Sequence, residues 1–312
     1  MNLIFIGSSA FGVPTLRILV GQKRHRLIGV ITQPDSRKGR GLKDLAISPV
    51  KAEALTHALE VWQPKSINEL SFISQLRDKK PDLIIVAAYS QKLGREILNL
   101  PAFGCINIHP SLLPKYRGAA PIQWAVTRGE TRTGVTVFLL TQTVDGGAIL
   151  RQEALDIGPD ETSGELSARL SLLGARVLLE SVDAIARRET RPVTQDESLA
   201  TPAPKLRKED GRIDFTRSAR EIYNWIRGMT PVPGAYAVLN GQRLQLLRAG
   251  CCDDGVVGRP GAIVAADKKG LCVQTGRGRL LITEVKPENR KAMAVGDFLN
   301  GFRINEHDAF DA

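Results

Sequence analysis

The chain is sparing with cysteine and short of acid. Four cysteines stand among 312 residues, at positions 105, 251, 252 and 272. They form no Cys-x-x-Cys pair and have no histidine at ligand spacing. That argues against a disulfide framework and a zinc site, so reduced thiols and no metal are expected. No apolar run approaches the ~20 residues that a membrane span requires. Met1-Asn2 leads straight into Leu3-Ile4-Phe5-Ile6-Gly7, without the charged and apolar regions of a signal peptide. A cytoplasmic protein with no membrane contact is the expectation. Also missing are an H-E-x-x-H helix, a Walker sequence and a serine or cysteine in a nucleophile elbow. Zinc proteolysis, P-loop chemistry and covalent hydrolysis are thereby disfavoured. Gly7 and Gly12 do not complete G-x-G-x-x-G, so a dinucleotide site has little support. Acidic residues number 33 against 43 basic ones, a net +10. Such an excess fits a polyanionic partner as well as it fits a merely well-solvated surface, and position must decide.

What is present reads as two globular parts. The hydrophobic fraction of 43% is ordinary for a folded protein, and the length suffices for two cores. Leu3–Ile6 predicts a strand, Gly7-Ser8-Ser9 a turn, and Pro14 the first turn of a helix. Strands are expected at Leu27–Thr32, Leu83–Ala88, Cys105–Ile108, Gly134–Thr141 and Ala148–Ile157. Helices are expected from Ser48-Pro49 to about Glu60, over Asn68–Arg77 and Pro121–Arg128, and after a Thr162/Glu165 capping box. This alternation is that of an α/β domain over residues 1–189. Residues 190–205 carry Pro192, Pro202 and Pro204 among polar side chains and read as a linker. Over 206–312 one capped helix, opened by Ser218 and Glu221, precedes several short strands. Asn240-Gly241 marks a hairpin among them, and a small barrel is expected. From Lys205 onward, 18 Lys and Arg face 13 Asp and Glu, a net +5, so both parts are basic.

Chemistry concentrates at Gly104-Cys105-Ile106-Asn107-Ile108-His109-Pro110-Ser111-Leu112-Leu113-Pro114. Residues two apart on a strand share a face, so Asn107 and His109 point into one space. Pro110 and Pro114 end the strand there, and strand ends are where open α/β sheets place ligands. An amide can donate to an oxyanion and an imidazole can move a proton near neutral pH. Asp145, before Gly146-Gly147, supplies a carboxylate that could orient His109 or hold a water that relays protons. The trio suits direct attack by a substrate's own nucleophile on a carbonyl. A structural reading competes: a histidine after a strand, an asparagine capping a turn, an aspartate forming one. A further cluster, Arg37, Lys38, Arg40 and Lys43 around two glycines, fits a solvated loop or a grip on backbone phosphates.

Asn107-Ile108-His109-Pro110-Ser111-Leu112-Leu113-Pro114, its continuation Tyr116-Arg117-Gly118-Ala119-Ala120-Pro121-Ile122 and the distant Val144-Asp145-Gly146-Gly147 resemble the signature of the methionyl-tRNA formyltransferase family. Gln33-Pro34-Asp35, Gly39-Arg40-Gly41 and Ser48-Pro49-Val50-Lys51 are similar to that family's basic loop, and the resemblance runs nearly end to end. It implies a Rossmann-like formyltransferase domain followed by an OB-like C-terminal barrel. It implies 10-formyltetrahydrofolate as donor and initiator methionyl-tRNA as acceptor, on a monomer. Asn107 and His109 would stabilise the oxyanion, with Asp145 supporting proton transfer. Ser111, Leu112, Leu113, Pro114 and Tyr89 would bind folate, and Arg37, Lys38, Arg40, Lys43 and Lys205 would bind tRNA. Departures from the pattern are Gly7-Ser8-Ser9 in the first turn, Ser90, Gly94 and Ala148. Two alternatives remain: a formyltransferase acting on a sugar nucleotide or other small amine, and a non-catalytic RNA-binding protein. The former would not need the basic loop, and the intact trio opposes the latter.

Overall fold

The fold was read from a computed structural model, which describes residues 1–38, 44–253, 258–305 and 308–311. Two compact units emerge. One comprises residues 1–118, 133–156 and 167–202; the other comprises 119–132, 157–166 and 203–312.

The first unit is built on a seven-stranded sheet. Its chain order is β1 (Asn2–Gly7), α1 (Val13–Gly21), β2 (Arg26–Ile31), β3 (Ser36–Lys38), β4 (Asp44–Ala46), α2 (Pro49–Thr56), β5 (Val61–Trp62), α3 (Leu70–Asp78), β6 (Leu83–Ala87), α4 (Arg95–Leu98) and β7 (Cys105–His109). After α5 (Pro121–Thr127), which belongs to the second unit, come β8 (Arg132–Leu139), β9 (Ile149–Asp156) and α6 (Ser163–Ala186). The sheet order is β5-β2-β1-β6-β7-β8-β9, while β3 and β4 form a separate hairpin. Pairing is parallel from β5 through β7, and β8 joins antiparallel. This is the Rossmann-like, mostly parallel architecture.

All five residues of β6 are buried, as its uninterrupted apolar run requires of a central strand. Ile4, Ile6, Ile84 and Val86 pack with Phe72, Ile73 and Leu76 of α3, so the α3 stripe meets the sheet. Each fully buried aliphatic side chain is worth about 1.5–3 kcal/mol relative to exposure. β2 lies on one side of β1 and β6 on the other, so strand order reverses at β1 and β6. The C-terminal ends of β6 and of β7 beside it therefore open next to a switch point.

Ser48 caps α2 by accepting from the Lys51 amide, as its sequence indicates. The helix nevertheless stops at Thr56 rather than near Glu60. Ala58 enters the left-handed region at φ 50°. There the Leu59 amide bonds the Ala54 carbonyl and the Ala58 amide the Leu55 carbonyl. That is a Schellman end with alanine in place of the usual glycine.

In the second unit, α7 (Ala219–Met229) precedes β10 (Tyr236–Leu239), β11 (Gln242–Asp253), β12 (Ile263–Asp267), β13 (Gly270–Gln274), β14 (Arg279–Pro287), β15 (Met293–Ala294) and α8 (Val295–Leu299). The capping box of Ser218 and Glu221 opens α7, and its Ile222, Ile226 and Met229 join the core of the sheet. The sheet runs β10-β11-β14-β13-β12, with β15 on β14, and its pairs are antiparallel. Asn240 and Gly241 both take positive φ, at 50° and 76°, as a two-residue hairpin demands. The end of the chain then bridges the two edges. Phe310 pairs with Leu239, Ala309 pairs with Ala262, and Phe310 stacks on Phe215. The curled sheet is thus a small OB-like barrel whose seam is covered by residues 308–311.

Candidate active site

β7 delivers Asn107 and His109 to the same face, two residues apart, and β8 lies beside them through Asn107–Phe138 and His109–Thr136 pairs. β8 runs on toward the turn that holds Asp145, so the sheet itself brings the third residue to the site. His109 Nδ1 lies 3.7 Å from Asp145 Oδ2, with the two side chains 5% and 13% exposed. At that distance the two feel each other's charge without a formed hydrogen bond.

The other ring nitrogen settles the tautomer. His109 Nε2 lies 2.7 Å from the Tyr116 carbonyl, which can only accept. Nε2 therefore carries the proton of the neutral ring, and Nδ1 presents its lone pair on the Asp145 side. Burial pulls the His109 pKa below its ordinary value; Asp145 and the Tyr116 carbonyl oppose that shift and only reduce it. The resting imidazole is neutral at pH 7. A proton arriving at Nδ1 would create an ion pair with Asp145 where a bare lone pair stood.

The Asp145 carboxylate is aimed by the Gly118 amide, which donates to Oδ2 at 2.8 Å. Its backbone is left-handed, with φ 49°, unusual for a residue other than glycine. Gly147 is obligatory beside it, because a Cβ there would stand 1.7 Å from the Leu139 carbonyl oxygen. Asn107 is half-buried, and among the described residues its amide forms no side-chain hydrogen bond. A donor group is thus left open on the face it shares with His109.

The Ser111–Pro114 loop is fixed from two strands. Thr136 Oγ1 donates to the Ser111 carbonyl and accepts from the Leu113 amide, while Gln152 Nε2 donates to the Leu113 carbonyl. Ser111 is fully buried, and its hydroxyl donates to the Lys115 carbonyl. Leu113 is buried as well, whereas Leu112 and Pro114 keep part of their surface. Tyr89 packs against the core of the first unit; its hydroxyl is buried without a partner among the described residues.

Of the residues read as tRNA contacts, Arg37 and Lys38 fall in β3, paired with β4. Arg40 and Lys43 lie outside the described residues. Lys205 is exposed and lines a groove of about 340 Å³ with Trp124, Arg212, Arg217 and Trp225 in the second unit. The structure therefore gathers Asn107, His109 and Asp145 at one strand end of the first unit, whereas Lys205 belongs to the second unit. Sequence reasoning passed over Gln195, a buried amide of the first unit that bonds the Asp145 turn. Its only signal was a polar residue in a proline-rich stretch.

Two family matches fit this architecture. Residues 1–182 match the model described as formyl transferase, and residues 205–303 match its C-terminal domain. Fold and site together thus define a two-part formyltransferase. Methionyl-tRNA formyltransferase of Moorella thermoacetica is 45% identical over 97% of this chain and 96% of its own. The enzyme of the same name from Syntrophus aciditrophicus is 43% identical over 98% and 97%. A solved structure of HypX from Aquifex aeolicus in complex with tetrahydrofolic acid shares the fold, with a TM-score of 0.64, 18% identity, and coverage of 100% of this chain and 51% of that one. The chain belongs to the methionyl-tRNA formyltransferase family.

Proposed function

We propose that the protein transfers the formyl group of 10-formyltetrahydrofolate to the α-amino group of methionine on initiator methionyl-tRNA. The observation that carries this reading is the open Asn107 amide beside a neutral His109 whose Nδ1 faces Asp145, in a chain of this family. The amine nitrogen bonds to the formyl carbon, and the carbonyl pair moves to its oxygen. Asn107 donates to that oxygen, where a preorganised donor is worth about 3–4 kcal/mol. The nitrogen then sheds its proton toward His109 Nδ1 and Asp145, the oxygen's pair re-forms the carbonyl, and the same proton goes to the folate nitrogen as it leaves with the pair of its broken carbon–nitrogen bond. His109 can donate to the oxyanion only while it is protonated, because its Nε2–H is held by Tyr116. Oxyanion support and proton transfer are thereby coupled on one ring.

Leu112 and Pro114 would wall the folate, with the buried Ser111 and Leu113 shaping the loop and Tyr89 nearby. Residues 1–189 would carry folate binding and the reaction, and 190–205 would link them to a tRNA-binding part at 206–312. Arg37, Lys38, Arg40 and Lys43 are assigned to the acceptor stem, and Lys205 to the remaining tRNA backbone. We take the working unit to be a monomer, acting in the cytoplasm. The deciding assay offers a labelled formyl donor with charged initiator tRNA, charged elongator tRNA and small amines. Strong preference for the initiator is expected; equal use of a sugar-nucleotide amine would sink the assignment.

A further inference from the structure

Gln195 is 5% exposed despite its polarity, and both ends of its amide are engaged. Its Nε2 donates to the Asp145 carbonyl at 2.8 Å and to the Gly147 carbonyl at 2.7 Å. Its Oε1 accepts from Arg117 Nε at 3.2 Å and Nη2 at 2.8 Å. Arg117 in turn grips both carboxylate oxygens of Glu197, at 2.7 and 2.8 Å. One side chain therefore joins the turn that bears Asp145 to the residue just before Gly118, whose amide aims the Asp145 carboxylate.

That turn has reason to need a brace. Asp145 is left-handed and two glycines follow it, so its own chain does little to hold the carboxylate. The neighbouring backbone repeats the pattern: the Arg117 amide donates to the Thr201 carbonyl, and Ile149 and Val193 exchange amide hydrogen bonds. We propose that Gln195 is a positioning residue for the reaction, fixing Asp145 Oδ2 against His109 Nδ1 from a segment distant in sequence. This rests on the function proposed above.

The test uses the full chain with Gln195→Ala and Gln195→Glu. The glutamate keeps the volume and the acceptor toward Arg117 but loses both donors, so it carries the same test should the alanine variant fail to fold. Both variants should lower kcat by at least about 10-fold, since small misplacements at a reacting centre cost rate steeply. KM for each substrate should stay within about two-fold. Nuclear magnetic resonance of the His109 imidazole gives a readout that a simple anchor would not move. Its neighbouring charges are Asp145 and, beyond that carboxylate, Arg117. In Gln195→Ala the His109 pKa should fall below that of the parent as Asp145 drifts away. An unchanged kcat with an unchanged His109 titration would overturn the proposal and leave Gln195 as an anchor of its segment. Should the parent chain fail to formylate methionyl-tRNA, the functional reading fails, and the titration still decides the role of Gln195.

Discussion

The proton inventory of His109 sets what this site can do. With Nε2–H on the Tyr116 carbonyl and Nδ1 toward Asp145, the neutral ring accepts a proton and the charged ring returns it. Catalysis should therefore require the neutral form at rest, and kcat should fall as pH drops through a pKa below about 6.5. Asp145 holds that pKa up, so Asp145→Asn should move the acid limb to lower pH while slowing the reaction. An acid limb displaced upward would contradict the geometry. Stability follows the same sign. A ring that resists protonation when folded leaves the unfolded chain binding more protons, so its contribution is lost as pH falls below about 6.5. Asn107→Ala should reduce kcat by at least about 100-fold with little change in folate binding, measured by single turnover and by ligand titration.

At the level of elements, legibility followed how local the cause was. Strand alternation placed Asn107 and His109 together, and the Asn240-Gly241 turn stood out because two positive φ values admit few residues. Glu165 was equally readable: Thr162 and Glu165 hydrogen-bond reciprocally at the start of α6. Three features were hidden. The end of α2 depends on Ala58 tolerating a left-handed backbone, which alanine does not advertise. The strand-like closure by Ala309 and Phe310 depends on two sheet edges far away in sequence. Gln195 serves a turn 50 residues distant, and nothing in its own neighbourhood announces this. The α6 cap offers a direct check. Thr162→Ala should destabilise the chain by about 1 kcal/mol in denaturant unfolding. The Thr162 amide, more than Arg248, holds the Glu165 carboxyl down to about 2. The folded value being depressed, the cap's stabilisation is complete above the ordinary carboxylate pKa of about 4.3 and fades as pH falls toward 2. Thr162→Ala keeps that backbone amide and removes only the hydroxyl, so most of this acid dependence should persist, whereas Glu165→Gln should abolish it.

For the whole molecule, charge and chemistry divide the work. The trio would act on any amine that reached it, so preference for a nucleic acid must come from elsewhere, and the net +10 is spread over both halves of the sequence. Binding to phosphates releases counterions, so tRNA affinity should fall steeply with salt, whereas folate affinity should fall much less. Lys205, exposed beside Trp124 and Trp225, is the described cation to test first. Lys205→Ala should raise KM for methionyl-tRNA several-fold and leave kcat nearly intact. It should also lower the slope of log affinity against log salt by about 0.7–0.9, the share of one phosphate contact. Both halves of that result matter. A raised KM with an unchanged slope would mean that Lys205 shapes its groove without meeting a phosphate. A lowered kcat at saturating tRNA would place it in the reaction rather than in tRNA binding alone.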